Sequence, residues 1–262
     1  MAENEKKHFP YEIIGDIAII EIDKKHGEKI GKQALEFANQ LLTMPYIKSV
    51  FIKSSAVSGS FRTRKLIFLV GINKSETIHK EHGIKLMLDI NKVYFSPRLS
   101  EERKRIAMQV KNNENIAVLF GGIAPYALVI WKYNKDKNIN IMTMELNRDA
   151  CYYAKKNIEI NKAQDKIKAI CDDVKNIYEY KNYESWADRI IAPLPKDVIS
   201  FFDEIKYVAK DHAICHIYVF AKDEKEAIEK TKALGNIIFA KQCGSYSKDI
   251  SRFVVDIEIK KS

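Results

Sequence analysis

A chain of 262 residues, 46% of them hydrophobic, is long and apolar enough to fill a core, which excludes a disordered protein. Its longest apolar runs, 17–22 and 214–220, fall far short of the roughly 20 residues a bilayer needs. Met1-Ala2-Glu3-Asn4-Glu5-Lys6-Lys7 lacks a signal-peptide core, so a cytoplasmic protein without membrane contact is expected. The 44 basic against 35 acidic residues give a net charge of +9, which favours a polyanion such as nucleic acid, although a lysine-rich solubilising surface gives the same figure.

From Tyr11 the pattern is β-rich. Residues 11–22 read as two short strands turning at Gly15-Asp16, and 28–43 as a helix. Strands at 49–54, 61–72 and 85–94 follow, with turn chemistry at Ser58-Gly59 and His82-Gly83. This predicts a small α+β domain over residues 1–95. Pro97 closes it, because a proline pushes the residue before it out of helix. Ser100, followed by Glu101, Glu102 and Arg103, then reads as the N-cap of a helix reaching residue 111.

Beyond that helix, strands and helices alternate: strand 116–120, helix 125–133, strand 139–145, helix 149–161, strands 167–171 and 189–192, helix 197–209, strand 214–220. Such alternation predicts an α/β domain over 96–262, with a mostly parallel, Rossmann-like sheet covered on both faces. After a helix at 223–234, strands 237–242 and 253–259 have no helix between them, which predicts an antiparallel edge hairpin. Residues 178–186, with three tyrosines and a tryptophan, form an aromatic connector expected to serve packing rather than base stacking. Cys151, Cys171, Cys215 and Cys243 show no zinc or redox spacing; they read as buried thiols, and no metal is expected.

In doubly wound sheets ligands bind beyond the carboxyl ends of the strands. Phe120-Gly121-Gly122-Ile123-Ala124-Pro125-Tyr126 follows the first strand of the alternating half and lets backbone approach a ligand. Glu145-Leu146 ends the second strand, where a carboxylate can accept hydrogen bonds from two ribose hydroxyls. Asp172-Asp173 ends the third, where an acceptor can meet an adenine amino group. Ala192-Pro193-Leu194-Pro195 ends the fourth as a stiff loop with few amides. Each alone could be a helix cap or an ordinary turn. The order of glycine turn, acid, acid and proline loop points to S-adenosylmethionine, since a nicotinamide enzyme would carry a fuller glycine fingerprint.

Three strings add a resemblance: Ser58-Gly-Ser-Phe-Arg62-Thr-Arg64, Glu76-Thr-Ile-His-Lys-Glu-His-Gly83, and Lys92-Val-Tyr-Phe-Ser-Pro-Arg-Leu-Ser-Glu-Glu-Arg103. With them the chain, from Tyr11 onward, resembles the tRNA (guanine(37)-N1)-methyltransferases of archaea and eukaryotes. The resemblance implies a class I (Rossmann-like) S-adenosylmethionine-dependent methyltransferase domain behind a small domain that contacts RNA and the target base. It implies the tRNA anticodon loop as partner, and a monomer is expected. Family members often carry a further small N-terminal domain; as only ten residues precede Tyr11, a form lacking it is expected.

Carried onto this chain, the resemblance places Tyr94, Arg103, Phe120, Gly121, Gly122, Glu145, Leu146, Asp173, Val174 and Pro193 around the cofactor. It places Arg62 and Glu102 at the base, with Pro193 also counted among the catalytic residues. The chemistry suits them: Glu102 would take the N1 proton of guanine if burial raised its pKa, and Arg62 would stabilise charge growing on O6. The chain departs from the family at Val118, where an Asp is usual, at Ala124, where a Gly is usual, and at Pro193, where an Asn is usual. Only the Pro193 carbonyl could then meet the guanine edge. Alternatives are methylation of a wyosine precursor at the same position, aminocarboxypropyl transfer, and a catalytically retired tRNA-binding protein.

Overall fold

The computed structural model describes residues 9–22, 29–53 and 66–261. The Ser58-Gly59 turn, Arg62 and the first part of the strand expected at 61–72 lie outside these. The chain divides into two compact units, Met1–Lys80 with Lys85–Pro97, and Glu81–Ile84 with Arg98–Ser262. No helix among the described residues is long and apolar enough to cross a membrane.

In the first unit, strands β1 (Tyr11–Ile14), β2 (Ile17–Glu21), β3 (Ser49–Lys53) and β4 (Leu66–Gly71) form one sheet in that order. The first two make a hairpin whose turn residue Gly15 has φ +59°. Helix α1 (Lys29–Leu42) joins the parallel pair β2 and β3. Its Ala34, Phe37, Ala38 and Leu41 recur at helical spacing and bury against Ala18, Ile20 and Val50. A second hairpin follows, β5 (Glu76–Glu81) and β6 (Ile84–Asp89), turning at His82 and Gly83, both at positive φ.

The second unit is a seven-stranded sheet. Its strands are β7 (Asn115–Leu119), β8 (Asn140–Glu145), β9 (Ile167–Cys171), β10 (Ala187–Ala192), β11 (Ala209–Ala221), β12 (Asn236–Ser245) and β13 (Ser251–Ile259), in the order β12-β13-β11-β10-β7-β8-β9. The five from β11 to β9 run parallel; β13 lies antiparallel to β11 and to β12, so the expected terminal hairpin is present with β12 as the edge. Helices α2 (Ser100–Gln109), α3 (Pro125–Tyr133), α4 (Arg148–Ile160), α5 (Phe202–Val208) and α6 (Glu224–Thr231) complete it. Ile190, Ile217, Val255 and Ile257 are fully buried in its core.

Four local expectations are corrected. Ser100 is not the cap of α2: a 3₁₀ turn, Pro97–Leu99, precedes the helix, Leu99 takes the cap position, and the Ser100 hydroxyl bonds His82 Nε2 at 2.8 Å. The helix expected at 197–209 divides into a 3₁₀ turn, Val198–Phe201, and the short α5, in keeping with its β-branched and aromatic start. Strand β11 begins at Ala209, well before residue 214; the polar Lys210, Asp211 and His212 that follow are not registered by hydrophobic alternation. Cys151 and Cys171, read as thiols, are joined in a disulfide: α4 connects β8 to β9 and returns over them, bringing the two Cα atoms within 5.6 Å. Cys215 and Cys243 are free.

Candidate active site

Strands β10, β7, β8 and β9 are parallel neighbours, so their carboxyl ends share one rim of the sheet. Phe120, Gly121 and Gly122 turn from β7 into α3 there, with φ of 57° at Phe120, 56° at Gly122 and 66° at Ala124, the α3 cap. Gly121 N–H donates to the Met144 carbonyl at 2.9 Å. A Cβ on Gly121 would land on Thr143 Oγ1, so only glycine lets the turn lie this close to β8. The Phe120 ring meets Phe201 edge-on at 4.9 Å.

Glu145, ending β8, is bound by that turn: Gly122 N–H donates to its Oε2 and Asn147 N–H to its Oε1, each at 2.8 Å. Burial raises the Glu145 pKa, and the amides of Asn147, Gly122 and Leu146 oppose the rise. A carboxylate has about four acceptor positions, so each oxygen keeps room for a further donor, as the two hydroxyls of a ribose require. Leu146 beside it is exposed. This donor set fits an adenosine moiety.

After β9 the two acids divide their work. Asp172 accepts from Asn176 Nδ2 and the Tyr180 hydroxyl, each at 2.8 Å, and these bonds lower its pKa. Asp173 uses Oδ1 to cap the 3₁₀ turn Val174–Glu179 through Lys175 N–H at 3.0 Å. Val174 is buried behind it. Pro193, half-buried, follows β10 in a tight turn in which Leu194 N–H reaches the Ala192 carbonyl at 2.8 Å.

Glu102 is 7% exposed on α2 and lines a groove of about 530 Å³ with Arg98, Lys104, Met108, Lys241 and Cys243. Arg105 grips it side-on, Nε to Oε2 at 2.8 Å and Nη2 to Oε1 at 2.9 Å, while the Tyr218 hydroxyl donates to Oε1 at 2.9 Å. Tyr218 in turn accepts from the Tyr126 hydroxyl at 2.9 Å. Both tyrosines are buried, which raises their pKa values and keeps them protonated donors. Tyr126 belongs to α3, directly after the glycine turn, so a hydrogen-bonded line links Glu102 to the helix that turn opens. Burial and the Glu102 charge push the Cys243 thiol up to about 12, so it is a protonated neighbour.

The structure thus gathers Phe120, Gly121, Gly122, Glu145, Leu146, Asp173, Val174 and Pro193 on one rim. Arg103 differs from that set. Fully buried, it forms a two-point pair with Glu81, Nε to Oε1 at 2.6 Å and Nη2 to Oε2 at 2.5 Å, and lies over the Tyr126 ring. Glu81 and His82 of the second conspicuous string therefore anchor α2, with His82 also bonding Tyr133 at 3.0 Å. Tyr94 belongs to the first unit, half-buried, and Arg62 lies outside the described residues.

Sequence reasoning missed Tyr126, Tyr218, Arg105, His216 and Asp256. The last two continue the network: Arg105 Nη1 donates to Asp256 Oδ2 at 2.7 Å, and Asp256 Oδ1 lies 2.6 Å from His216 Nδ1. A visible signal existed in polar residues inside apolar strands, His216 and Tyr218 within 214–220 and Asp256 within 253–259.

Two family models match the chain, the TRM5/TYW2 methyltransferase domain over residues 77–243 and the TYW2 N-terminal domain over residues 1–75. The expectation of a form lacking its N-terminal domain is therefore not confirmed, since the first unit matches one. The chain is 35% identical over 233 residues to tRNA (guanine(37)-N(1))-methyltransferase Trm5b of Methanocaldococcus jannaschii, covering 89% of this chain and 63% of that protein. It spans less than two thirds of that relative's length. It is 37% identical over 215 residues to tRNA 4-demethylwyosine(37)-methyltransferase Taw21 of Saccharolobus solfataricus, covering 82% of this chain and 79% of the relative. A solved complex of aTrm5 with tRNALeu superposes with a TM-score of 0.84 at 32% identity, covering 96% of this chain and 72% of that one. The second unit has the class I methyltransferase fold.

Proposed function

Because this chain belongs to the TRM5/TYW2 methyltransferase family, we propose that it methylates N1 of guanosine 37 in tRNA, using S-adenosylmethionine. The observation that carries this reading is Glu102, a carboxylate set by three hydrogen bonds at the wall of a basic groove. Family members bind S-adenosylmethionine, as in a TYW2 complex with AdoMet and a Trm5 complex with adenosine, and the rim of Glu145, Asp173 and the glycine turn has the acceptors and close backbone that adenosine calls for.

The cofactor supplies an electrophilic methyl group. Glu102 would take the N1 proton of guanine as the new N–C bond forms and the methyl–sulfur bond breaks with its pair on sulfur, and so would end as the neutral acid. Glu145 would hold the ribose and Asp173 the adenine amino group, and Pro193 would offer its carbonyl to the guanine edge. Arg98, Lys104 and Lys241 give the groove the charge that draws RNA phosphates. Tyr94, Arg103 and Arg62 keep the roles the resemblance implies and rest on it alone. The base must leave its stack to reach an enclosed methyl donor.

A second reading, methylation of a 4-demethylwyosine precursor at position 37, is supported by the likeness to Taw21 and by Pro193 in place of the usual Asn. Labelled methyl transfer to paired tRNA transcripts tests the first reading: guanosine at position 37 is expected to accept label and adenosine there to accept none. Equal labelling of both transcripts overturns it.

A further inference from the structure

Arg105 stands between two carboxylates. Its guanidinium holds Glu102 through Nε and Nη2, and holds Asp256 through Nη1 at 2.7 Å and Nη2 at 3.1 Å. Side-chain exposures are 20% for Arg105, 6% for Glu102 and 4% for Asp256, so this is an ion triad largely removed from water. Such a cation tolerates losing one partner only if another remains, because an unpaired buried charge is strongly destabilising. Glu102 must lose its charge when it accepts the substrate proton.

We propose that Asp256 is a positioning residue for the methyl-transfer step, acting through Arg105: it holds the guanidinium in place while Glu102 becomes neutral. This rests on Glu102 being the base. The proton leaves guanine N1 for Glu102, the pair of the N–H bond forms the new bond to the methyl carbon, and that carbon's bond to the sulfonium sulfur breaks with its pair staying on sulfur, which leaves as a neutral thioether; Arg105 is then neutralised by Asp256 alone.

The surroundings keep Asp256 ionised throughout. Burial alone would raise its pKa, but the His216 hydrogen bond and the Arg105 guanidinium hold it below the usual carboxylate range. Burial keeps His216 neutral; its Nε2 faces Arg189 Nη1 at 2.8 Å and so accepts, leaving Nδ1–H to donate to Asp256. Arg189 is itself matched by Glu114, with Nε to Oε2 at 2.8 Å and Nη2 to Oε1 at 3.0 Å. The other groups bearing on Glu102 are the Tyr218 hydroxyl on β11, Tyr126 on α3 and the Cys243 thiol on β12, all protonated. Arg103 of α2 and Arg252 of β13 also act on these neighbours. Asp256 is thus the anion that the triad retains.

The test is the pH dependence of single-turnover methyl transfer by the full chain with tRNA, alongside S-adenosylmethionine binding. With Asp256→Asn, Glu102 becomes the sole counter-ion of Arg105 and a weaker base. The acid limb is expected to move about 1 pH unit or more to lower pH, with the plateau rate down several-fold and cofactor affinity unchanged. Asp256→Glu restores the charge and should return the limb toward the wild-type position. Because Asp256 acts only through Arg105, adding Asp256→Asn to Arg105→Gln should change neither the limb nor the plateau rate further; that comparison decides the matter if Asp256→Asn alone does not fold. A limb at the wild-type position in Asp256→Asn, or a further shift on adding Asp256→Asn to Arg105→Gln, overturns the role of Asp256. If Glu102→Gln keeps the wild-type profile, the base assignment itself fails, and the proposal with it.

Discussion

Glu102 uses both oxygens on donors, two from Arg105 and one from Tyr218, which fixes its plane without needing substrate. Replacing it with Gln keeps the shape but removes the proton acceptor. Turnover of Glu102→Gln is expected to fall by about 100-fold or more while S-adenosylmethionine binding, measured by calorimetry, stays within about twofold. An unchanged rate would remove Glu102 as the base. At this scale the sequence was legible for the candidate residues at strand ends: the glycine turn, Glu145 and Asp173 all stand at or just after the ends of parallel strands. It was less legible for Arg103 and Arg105. Both are arginines on one helix turn, and only the fold shows that one pairs with Glu81 inside the protein while the other faces Glu102 and the groove. The Arg103–Glu81 pair joins segments 22 residues apart, which spacing cannot reveal, whereas Arg105 and Glu102 are three residues apart on α2 and only their burial with Asp256 escapes a sequence reading.

Among the elements, the turn from β7 into α3 carries the clearest cost. Ala124 caps α3 at φ 66°, a left-handed conformation that puts Cβ close to its own backbone. Ala124→Gly is expected to raise stability by about 1 kcal/mol, the relief of that strain less the added freedom of the unfolded chain, as read by urea unfolding. Destabilisation would mean that the buried Ala124 methyl contributes more by packing than it costs in strain. The hydrophobic runs of β7, β8 and β10 predicted their strands well, because central parallel strands are apolar on both faces. The start of β11 and the division before α5 escaped prediction for the opposite reason. There the chain is placed by pairing and packing from β13 and β10, while its own sequence is polar or weakly helical.

For the molecule as a whole, the buried network makes stability depend on pH. His216 has no exposed surface and both ring nitrogens are engaged, so burial lowers its pKa from the ordinary 6.5. The unfolded chain takes up that proton below about pH 6.5 and the folded chain refuses it. Unfolding free energy should therefore decline as pH falls from 7 to 5, with a slope from this one group approaching about 1.4 kcal/mol per pH unit. His216→Gln should flatten that slope in urea titrations, and an equal slope in both proteins would contradict the assignment. The mostly parallel sheet, its antiparallel edge hairpin and the placing of eight candidate residues on one rim followed from the alternation of elements and the rule of strand ends, whereas the order of the strands came from the structure. The disulfide and the Arg105 triad did not, because they depend on which distant segments the fold lays together.

The central claim is methylation of guanosine 37, and the most direct measurement is nucleoside mass analysis of tRNA transcripts after incubation with the protein and S-adenosylmethionine. The account predicts 1-methylguanosine at position 37 of an otherwise unmodified transcript. A transcript left unmethylated by folded protein that binds it, while tRNA carrying the 4-demethylwyosine precursor is methylated, would contradict it.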